Sequence, residues 1–444
     1  MKGHDPTHAL AVALADGALA GAWVPAAIAT RMRTVLGGRG RTWLPALAAD
    51  LCAEHPAAPG DAPRALAREI GAHPRFLRAC ATARARGNPL HVRHVLVSGT
   101  RMGRRRWPVP ELDGVLDLAE FLEIDPEELD WFADVRGLQR RAPGTALHHY
   151  RSRWWAKPGA PRLLEVPKPR LKALQRKLLR EVLDVVPPHP AAHGFVRGRS
   201  AVTGAREHVG SEVVLRFDLA AFFASISAAR VYGRFRVLGY PEEVAHLLAG
   251  LCTHRTPLVV LRQMPDGGRA EDRFRLRRDL GFPHLPQGAP TSPALANLCA
   301  HGLDRRLSGL ASTWGATYTR YADDLVLSGS GDLRAPQLRA TLQQIVTEEG
   351  FGLNPAKTLV RGAGARQVVT GLVVNAGPRV RRSEVDRLRA ILHNAVRSGP
   401  QSQNRDGHPD FRAHLLGRIA WVGAADPARG ERLRETFQRI EWPG

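Results

Sequence analysis

Thr317-Tyr318-Thr319-Arg320-Tyr321-Ala322-Asp323-Asp324-Leu325-Val326-Leu327-Ser328 sets two adjacent carboxylates inside a β-branched, aromatic and aliphatic run. Such a run reads as strand, sharp turn, strand. Two charges between β-forming flanks cost stability unless something binds them, and a divalent metal is the natural partner. A solvated acidic turn is an equally ordinary use of the same residues. The dipeptide alone does not separate the two readings.

Composition narrows the choice. The chain has 444 residues, enough for a sizeable core and two or three subdomains, and 44% of them are hydrophobic, as in a globular protein. Its 64 Lys+Arg against 42 Asp+Glu leave a formal net charge of +22. A surplus of that size points to a polyanionic partner, most simply nucleic acid. Coding bias in a GC-rich genome inflates Arg over Lys, but it does not create a deficit of acids. Cys52, Cys80, Cys252 and Cys299 are far apart in sequence. They suggest neither a metal site nor a disulfide framework, and the expectation is buried free thiols in a reducing cytoplasm. The Ala-rich stretch 8–30 is interrupted by Asp16 and reads as a packed helix rather than a leader. No other segment is long and apolar enough to span a membrane, so no membrane partner is expected.

Along the chain, residues 1–140 read as a helical N-terminal extension. Within it, Asp125 before Pro126, Glu127 and Glu128 predicts a helix start, with an N-cap, a proline at N1 and acids near the positive end. Arg104-Arg105-Arg106-Trp107 reads equally as a phosphate contact or a solvated loop. Residues 141–375 alternate helical patterns with short β-rich runs, which predicts an α+β domain. Gly377-Pro378 marks a break, and residues 376–444 read as a small helical domain. Its expected helices are Ser383 to Ser398, Phe411 to Val422, and about Pro427 to Trp442.

A second carboxylate ends a buried strand, Glu212-Val213-Val214-Leu215-Arg216-Phe217-Asp218, and Leu219 to Ile226 reads as the start of a helix. Asp218 is then either a catalytic acid at a strand mouth or an N-cap. Leu285-Pro286-Gln287-Gly288-Ala289-Pro290-Thr291-Ser292-Pro293 combines a glycine turn with a helix start capped at Ser292. It reads as a place to hold a nucleotide or template strand, or as an ordinary loop-to-helix entry.

In order along the chain come Asp218-Leu219-Ala220-Ala221-Phe222-Phe223, then Pro286-Gln287-Gly288…Ser292-Pro293, Tyr321-Ala322-Asp323-Asp324, and Gly352-Leu353-Asn354-Pro355-Ala356-Lys357-Thr358. Together they resemble a reverse transcriptase over about residues 142–375. The resemblance implies a right-hand polymerase of α+β class: fingers and palm with an antiparallel sheet packed on helices, a helical thumb and the helical N-terminal extension. It implies in-line attack of a primer 3′-hydroxyl on a dNTP, with two Mg²⁺ ions ~3.5–4 Å apart, replaceable by Mn²⁺. Asp218 and Asp323 would bridge the ions, Asp324 would be a weaker ligand, and the Leu219 carbonyl would complete one site. Phe223 would exclude a ribose 2′-hydroxyl, or else fill core. Lys357 would neutralise or protonate leaving pyrophosphate, or be a surface lysine. Arg162, with Lys157, would clamp the triphosphate. Gln287 and Gly288 would lie near the templating base and the nucleotide.

Two further stretches narrow the resemblance to the retron branch, the first of them opening on the family's early motif. Ala192-His193-Gly194-Phe195-Val196-Arg197-Gly198-Arg199-Ser200 implies phosphate contacts from Arg197 and Arg199. It leads into Gly204-Ala205-Arg206-Glu207-His208, which keeps the Ala and His of an Asn-Ala-x-x-His element but carries Gly204 in place of the asparagine. Val369-Thr370-Gly371 resembles the element before the thumb. His208, Val369, Thr370 and Gly371 are thereby implied on the nucleic-acid side. The implied partners are a structured noncoding RNA that is both template and primer, its cDNA, dNTPs and an effector protein. The implied product is branched RNA–DNA, serving antiphage defence. Arg381, Arg382, Arg387 and Arg389 would grip an RNA stem-loop, or form a solvated helix face. Intron-derived or other defence-associated reverse transcriptases, and a non-catalytic RNA-binding scaffold, are the rival readings.

Overall fold

The computed structural model of the chain describes residues 6–40, 42–59, 63–94, 96, 102–139, 145–156 and 161–442. Lys157 and the expected boundary at 140/141 lie outside the described residues. Two compact units emerge: residues up to Met102 with Leu112–Gly114, and Gly103–Glu111 with Val115–Gly444.

The first unit is built from helices Pro6–Leu19, Pro25–Val35, Leu44–Glu54, Pro63–Ala72 and Pro74–Ala85. Each has a proline at its first or second position, where the missing N–H costs nothing. Leu10, Leu14, Ile28, Met32, Leu47 and Phe76 are among the buried residues of one shared core. The Ala-rich N-terminal stretch is therefore packed and helical as expected, but as two helices broken at residues 20–24 and not as one. No described helix is long and apolar enough to cross a membrane.

The extension was expected to run to residue 140, but its last two helices belong to the second unit. The reason is packing. Helix Pro126–Ala133, capped by the Asp125 side chain accepting from Glu128 N–H at 2.7 Å, lies so close to helix Glu242–Cys252 that a Cβ on Gly250 would sit 2.3 Å from the Ala133 carbonyl oxygen. Arg170 also pairs with Glu128 at 2.8 Å.

The second unit is organised by a four-stranded antiparallel sheet. Strands β3 (Val213–Asp218), β4 (Thr317–Tyr321), β5 (Asp324–Gly329) and β6 (Leu359–Gly362) run in the order β4-β5-β3-β6. Side chains alternate between faces along a strand. The register pairs Asp218 with Asp324, Arg216 with Val326 and Val214 with Ser328. One face therefore carries Asp218, Arg216 and Asp324 at one end and Val214, Val326 and Ser328 at the other. The opposite face, with Leu215, Phe217, Leu325 and Leu327, is buried. Strands β1 (Tyr150–Trp155) and β2 (Arg162–Pro167) form a separate ladder. A last hairpin, β7 (Val368–Val369) and β8 (Leu372–Val373), precedes helices Arg382–Ser398, Phe411–Ala425 and Pro427–Gln438. These three share a core that includes Leu388, Leu392, Leu415, Ile419 and Phe437.

Residues 219–226 are not the helix the sequence predicts. The helix begins at Ala228. Before it the chain makes a tight turn with Ala221 at φ +48°, where Ser225 N–H donates to the Ala221 carbonyl at 2.8 Å. Asp218 is correspondingly not a helix cap.

Candidate active site

The β4–β5 connection is a two-residue hairpin, because Tyr321 pairs with Asp324. Its first loop residue, Ala322, sits at φ +55°. Turns of this length favour positive φ, and an alanine held there is strained by about 1 kcal/mol or more. Arg320, fully buried, braces the turn. It donates from Nε and Nη2 to Asp304 at 2.8 and 2.7 Å, and from Nη1 to Asn297 at 3.0 Å and the Ala322 carbonyl at 3.2 Å. Asn297 Nδ2 reaches the Gly194 carbonyl at 3.0 Å. A Cβ at Gly194 would lie 2.6 Å from the Ala322 nitrogen, so only glycine lets this strand approach the tip.

The tip meets the end of β3. Leu219 N–H donates to the Asp323 carbonyl at 2.8 Å, and Asn354 N–H to the Asp218 carbonyl at 2.8 Å. The three carboxylates differ in their partners. Asp218 receives Lys357 Nζ on both oxygens, at 2.9 and 2.8 Å. Asp324 receives the Arg216 fork, with Nη2 at 2.9 and 2.7 Å from its two oxygens. Asp323 has no cation within bonding distance among the described residues. Burial, and then the negative charges of Asp218 and Asp324, push its carboxyl above the usual range, against a smaller pull from Lys357.

Among the described residues no three acidic, His or Cys side chains converge closely enough to enclose a cation. Asp324 is held by Arg216 and Asp218 by Lys357, which leaves Asp323 without a cation of its own. With Lys357 displaced, Asp218, Asp323 and the Leu219 carbonyl would make an all-oxygen set of the kind hard cations take. The uncompensated charge at Asp323 fits such a cation.

A cavity of about 660 Å³ opens in front of this set. Its walls include Arg162, Phe223, Gln287 and Lys357 together with Asp218 and Asp323. With Leu219, which also lines it, the structure thus brings seven of the expected site residues together. Phe222 is the core aromatic, 4% exposed and 5.7 Å from the Phe351 ring. Phe223 is half-buried and faces the cavity. Gly288, at φ +129°, backs onto β2, and a Cβ there would lie 2.9 Å from the Glu165 carbonyl oxygen. Beside it Glu165 N–H donates to the Gln287 carbonyl at 2.8 Å. The helix starts one residue earlier than predicted, with Thr291 at the cap position and Ser292 already helical, and the Ser292 hydroxyl donates to the Pro286 carbonyl at 2.7 Å instead of accepting as a cap.

Other expected contacts lie elsewhere. His208 is fully buried, 2.7 Å from both Ser328 Oγ and Thr319 Oγ1. Burial lowers its pKa to about 4, so it is neutral and cannot reach a nucleic acid. Val369 is also fully buried. Thr370 and Gly371 form the β7–β8 turn at φ +48° and +88°, and Thr370 Oγ1 donates to the Ala201 carbonyl at 2.8 Å. Helix Ala201–Arg206 packs Val202 and Ala205 into the same core as Val369 and Leu372. The two retron-like elements are thus one structural unit. Gly204 has a steric reason too, since a Cβ there would meet His193 Cβ at 3.3 Å. Arg199 is exposed, yet its guanidinium already donates to the Pro190 and Ala192 carbonyls. Arg197 is exposed.

Three features were missed. Arg216 lies two residues before Asp218 on the same strand face, so alternation alone could have found it. Arg275, on helix Ala270–Leu280, lines the cavity with its Nη1 near Gly352 and no acceptor among the described residues. No motif marks it. The N–H groups of Ala221, Phe222 and Phe223 meet no acceptor among the described residues, and all three residues line the cavity. Successive free N–H groups around a left-handed residue form an anion cradle.

Comparison with known proteins agrees with this geometry. Residues 154–367 match the family described as reverse transcriptase (RNA-dependent DNA polymerase). The chain is similar to the retron Mx65 reverse transcriptase of Myxococcus xanthus, 45% identical over 280 residues, which are 62% of this chain and 61% of that protein. It is 38% identical to the retron Mx162 reverse transcriptase of the same organism, over 74% of this chain and 68% of the relative. It is 31% identical to the retron Ec86 reverse transcriptase of Escherichia coli, over 63% of this chain and 77% of the relative. The chain thus spans about three fifths of the Mx65 protein and somewhat more of the other two.

Proposed function

The chain belongs to the retron reverse transcriptase family, and from that membership we propose that it is an RNA-directed DNA polymerase copying a structured noncoding RNA. One observation carries the reading: Asp218 and Asp323 meet across the Leu219–Asp323 hydrogen bond at the mouth of a cavity walled by cations and by Phe223. The sheet bearing these acids is the palm, β1–β2 with its surroundings the fingers, and residues 376–444 the thumb. The triphosphate lies against the Ala221–Phe223 cradle, with Arg162, Arg275 and Lys357 around it. Their positive charge offsets what develops on the phosphates as pyrophosphate leaves. Lys357 exchanges Asp218 for a phosphate oxygen. Arg216 holds Asp324 in place. Phe223 packs beneath the sugar and excludes a 2′-hydroxyl. Mg²⁺, or Mn²⁺ in its place, held by Asp218, Asp323 and the Leu219 carbonyl, supplies stabilisation of the attacking and leaving oxygens.

Within the retron reading, synthesis starts from a guanosine 2′-hydroxyl of the RNA and gives branched RNA–DNA, used with an effector protein in antiphage defence. Primer extension on an RNA template tests the polymerase. Incorporation is expected for the wild type and not for Asp323→Ala, and equal incorporation by both overturns the metal assignment. Sequencing of small nucleic acids from cells expressing the locus tests the priming. A 2′-linked branch is expected, and a linear cDNA would place the activity with intron-derived or other defence-associated enzymes.

A further inference from the structure

A second concavity, of about 470 Å³, shares no lining residue with the catalytic cavity. It forms where helix Ala228–Val237, carrying Arg230 and Arg234, meets the start of helix His301–Thr313 and the Glu348–Gly350 end of helix Pro336–Glu348. Arg230 is locked in place: Nη2 donates to the Cys299 carbonyl at 3.1 Å, and the guanidinium lies 4.2 Å from the Phe351 ring centroid. Its Nη1 is enclosed without an acceptor, as is Nε of Arg234. None of Arg230, Arg234 and Arg305 lies within 4 Å of a carboxylate among the described residues, although all three line the concavity. Glu348 and Glu349 are present but already taken, since Arg306 pairs with both.

Enclosed guanidinium donors without acceptors are costly, and a cation taken out of water needs an anionic partner. Three guanidiniums line the concavity beside two carboxylates that a fourth, Arg306, already pairs with. Forked, preorganised donors match the oxygens of a phosphate best, where a lysine would offer only a point charge. We propose that this concavity is a phosphate-binding site, occupied by a backbone phosphate of a nucleic acid or by a free phosphate. It is wider than an isolated phosphate needs and open to solvent, which suits a phosphodiester. The proposal rests on the charge arrangement and not on the polymerase reading, so either can fail alone.

The test compares the full-length wild type with Arg234→Gln/Arg305→Gln, leaving the structurally bonded Arg230 intact. Single-stranded RNA is titrated across a salt series, and inorganic phosphate is followed by thermal shift. Binding of a backbone phosphate predicts RNA affinity about 5- to 20-fold weaker in the variant at physiological salt. The slope of log K against log salt should be shallower by about one to two. The dNTP KM on a preformed primer–template should be unchanged. A phosphate-dependent rise in melting temperature, present in the wild type and absent in the variant, with RNA binding equal, assigns the site to a free phosphate. Arg234→Lys should restore part of either effect. Equal RNA affinity, equal salt slope and equal phosphate response overturn the proposal, and Arg305→Gln alone serves the same comparison if the double variant fails to fold.

Discussion

The sheet face that carries Asp218, Arg216 and Asp324 ends, four residues back along β3, at Val214 beside His208 and Ser328. The two ends lie only about 13 Å apart at ~3.3 Å per residue, yet they solve opposite problems. The first end holds charge that its surroundings do not fully satisfy. Two of its acids lean on Lys357 and Arg216, and the third, Asp323, keeps a raised pKa. The second end buries a neutral imidazole with a hydroxyl oxygen 2.7 Å from each ring nitrogen. The proposed chemistry occupies the unsatisfied end, and the satisfied one packs as core.

Substitutions should separate the two. Asp323→Asn is expected to lower primer extension by on the order of 10³-fold or more. It removes a repelled carboxylate, so the free energy of unfolding in urea should stay equal or rise slightly. A marked loss of stability would break the contrast. His208→Ala should do the reverse, costing about 2–4 kcal/mol through the cavity, the orphaned Thr319 hydroxyl and a Ser328 hydroxyl left with Ser211 alone. Activity per folded molecule should be retained, and a tenfold fall in kcat at full folding would move His208 to the functional end.

A smaller effect comes with pH. Burial holds His149, His208 and His254 at about 4, below the ordinary value of about 6.5. Between those values the unfolded chain binds protons that the folded chain does not. Stability therefore rises with pH across that window and is lost as pH falls from 6.5 towards 4. Urea midpoints measured from pH 7.5 to 5 should fall, and His208→Gln should flatten the slope by about one proton. The smallest effect is expected at Gly371→Ala. A Cβ there meets only Trp421 at 3.7 Å, but φ is +88°, so the cost is about 1 kcal/mol of backbone strain, read as a lower urea midpoint.

The legible parts of the fold were those where one residue type violates its surroundings. Acids inside apolar strands exposed Asp218, Asp323 and Asp324, and Asp125 before Pro126 marked a helix start that the structure repeats. The cavity-facing role of Phe223 against the core role of Phe222 was legible only by resemblance. The turn that produces it needs Ala221 at φ +48°, and alanine does not announce a left-handed backbone. His208 was misplaced because its partners, Thr319 and Ser328, are 111 and 120 residues away in sequence. Arg275 was missed because one arginine in a basic helix looks like the next until the cavity wall is known. That helix Pro126–Ala133 packs with the second unit shows in the close approach of Gly250 to the Ala133 backbone, a contact that no local pattern carries.

The buried Arg320 has a mechanical consequence. Its guanidinium joins Asp304 and Asn297 of two helices to the Ala322 carbonyl, and Asn297 goes on to hold Gly194. The acidic hairpin is therefore clamped from behind like a stator. In the proposed polymerase this hairpin is the fixed reference past which the nucleic acid would advance.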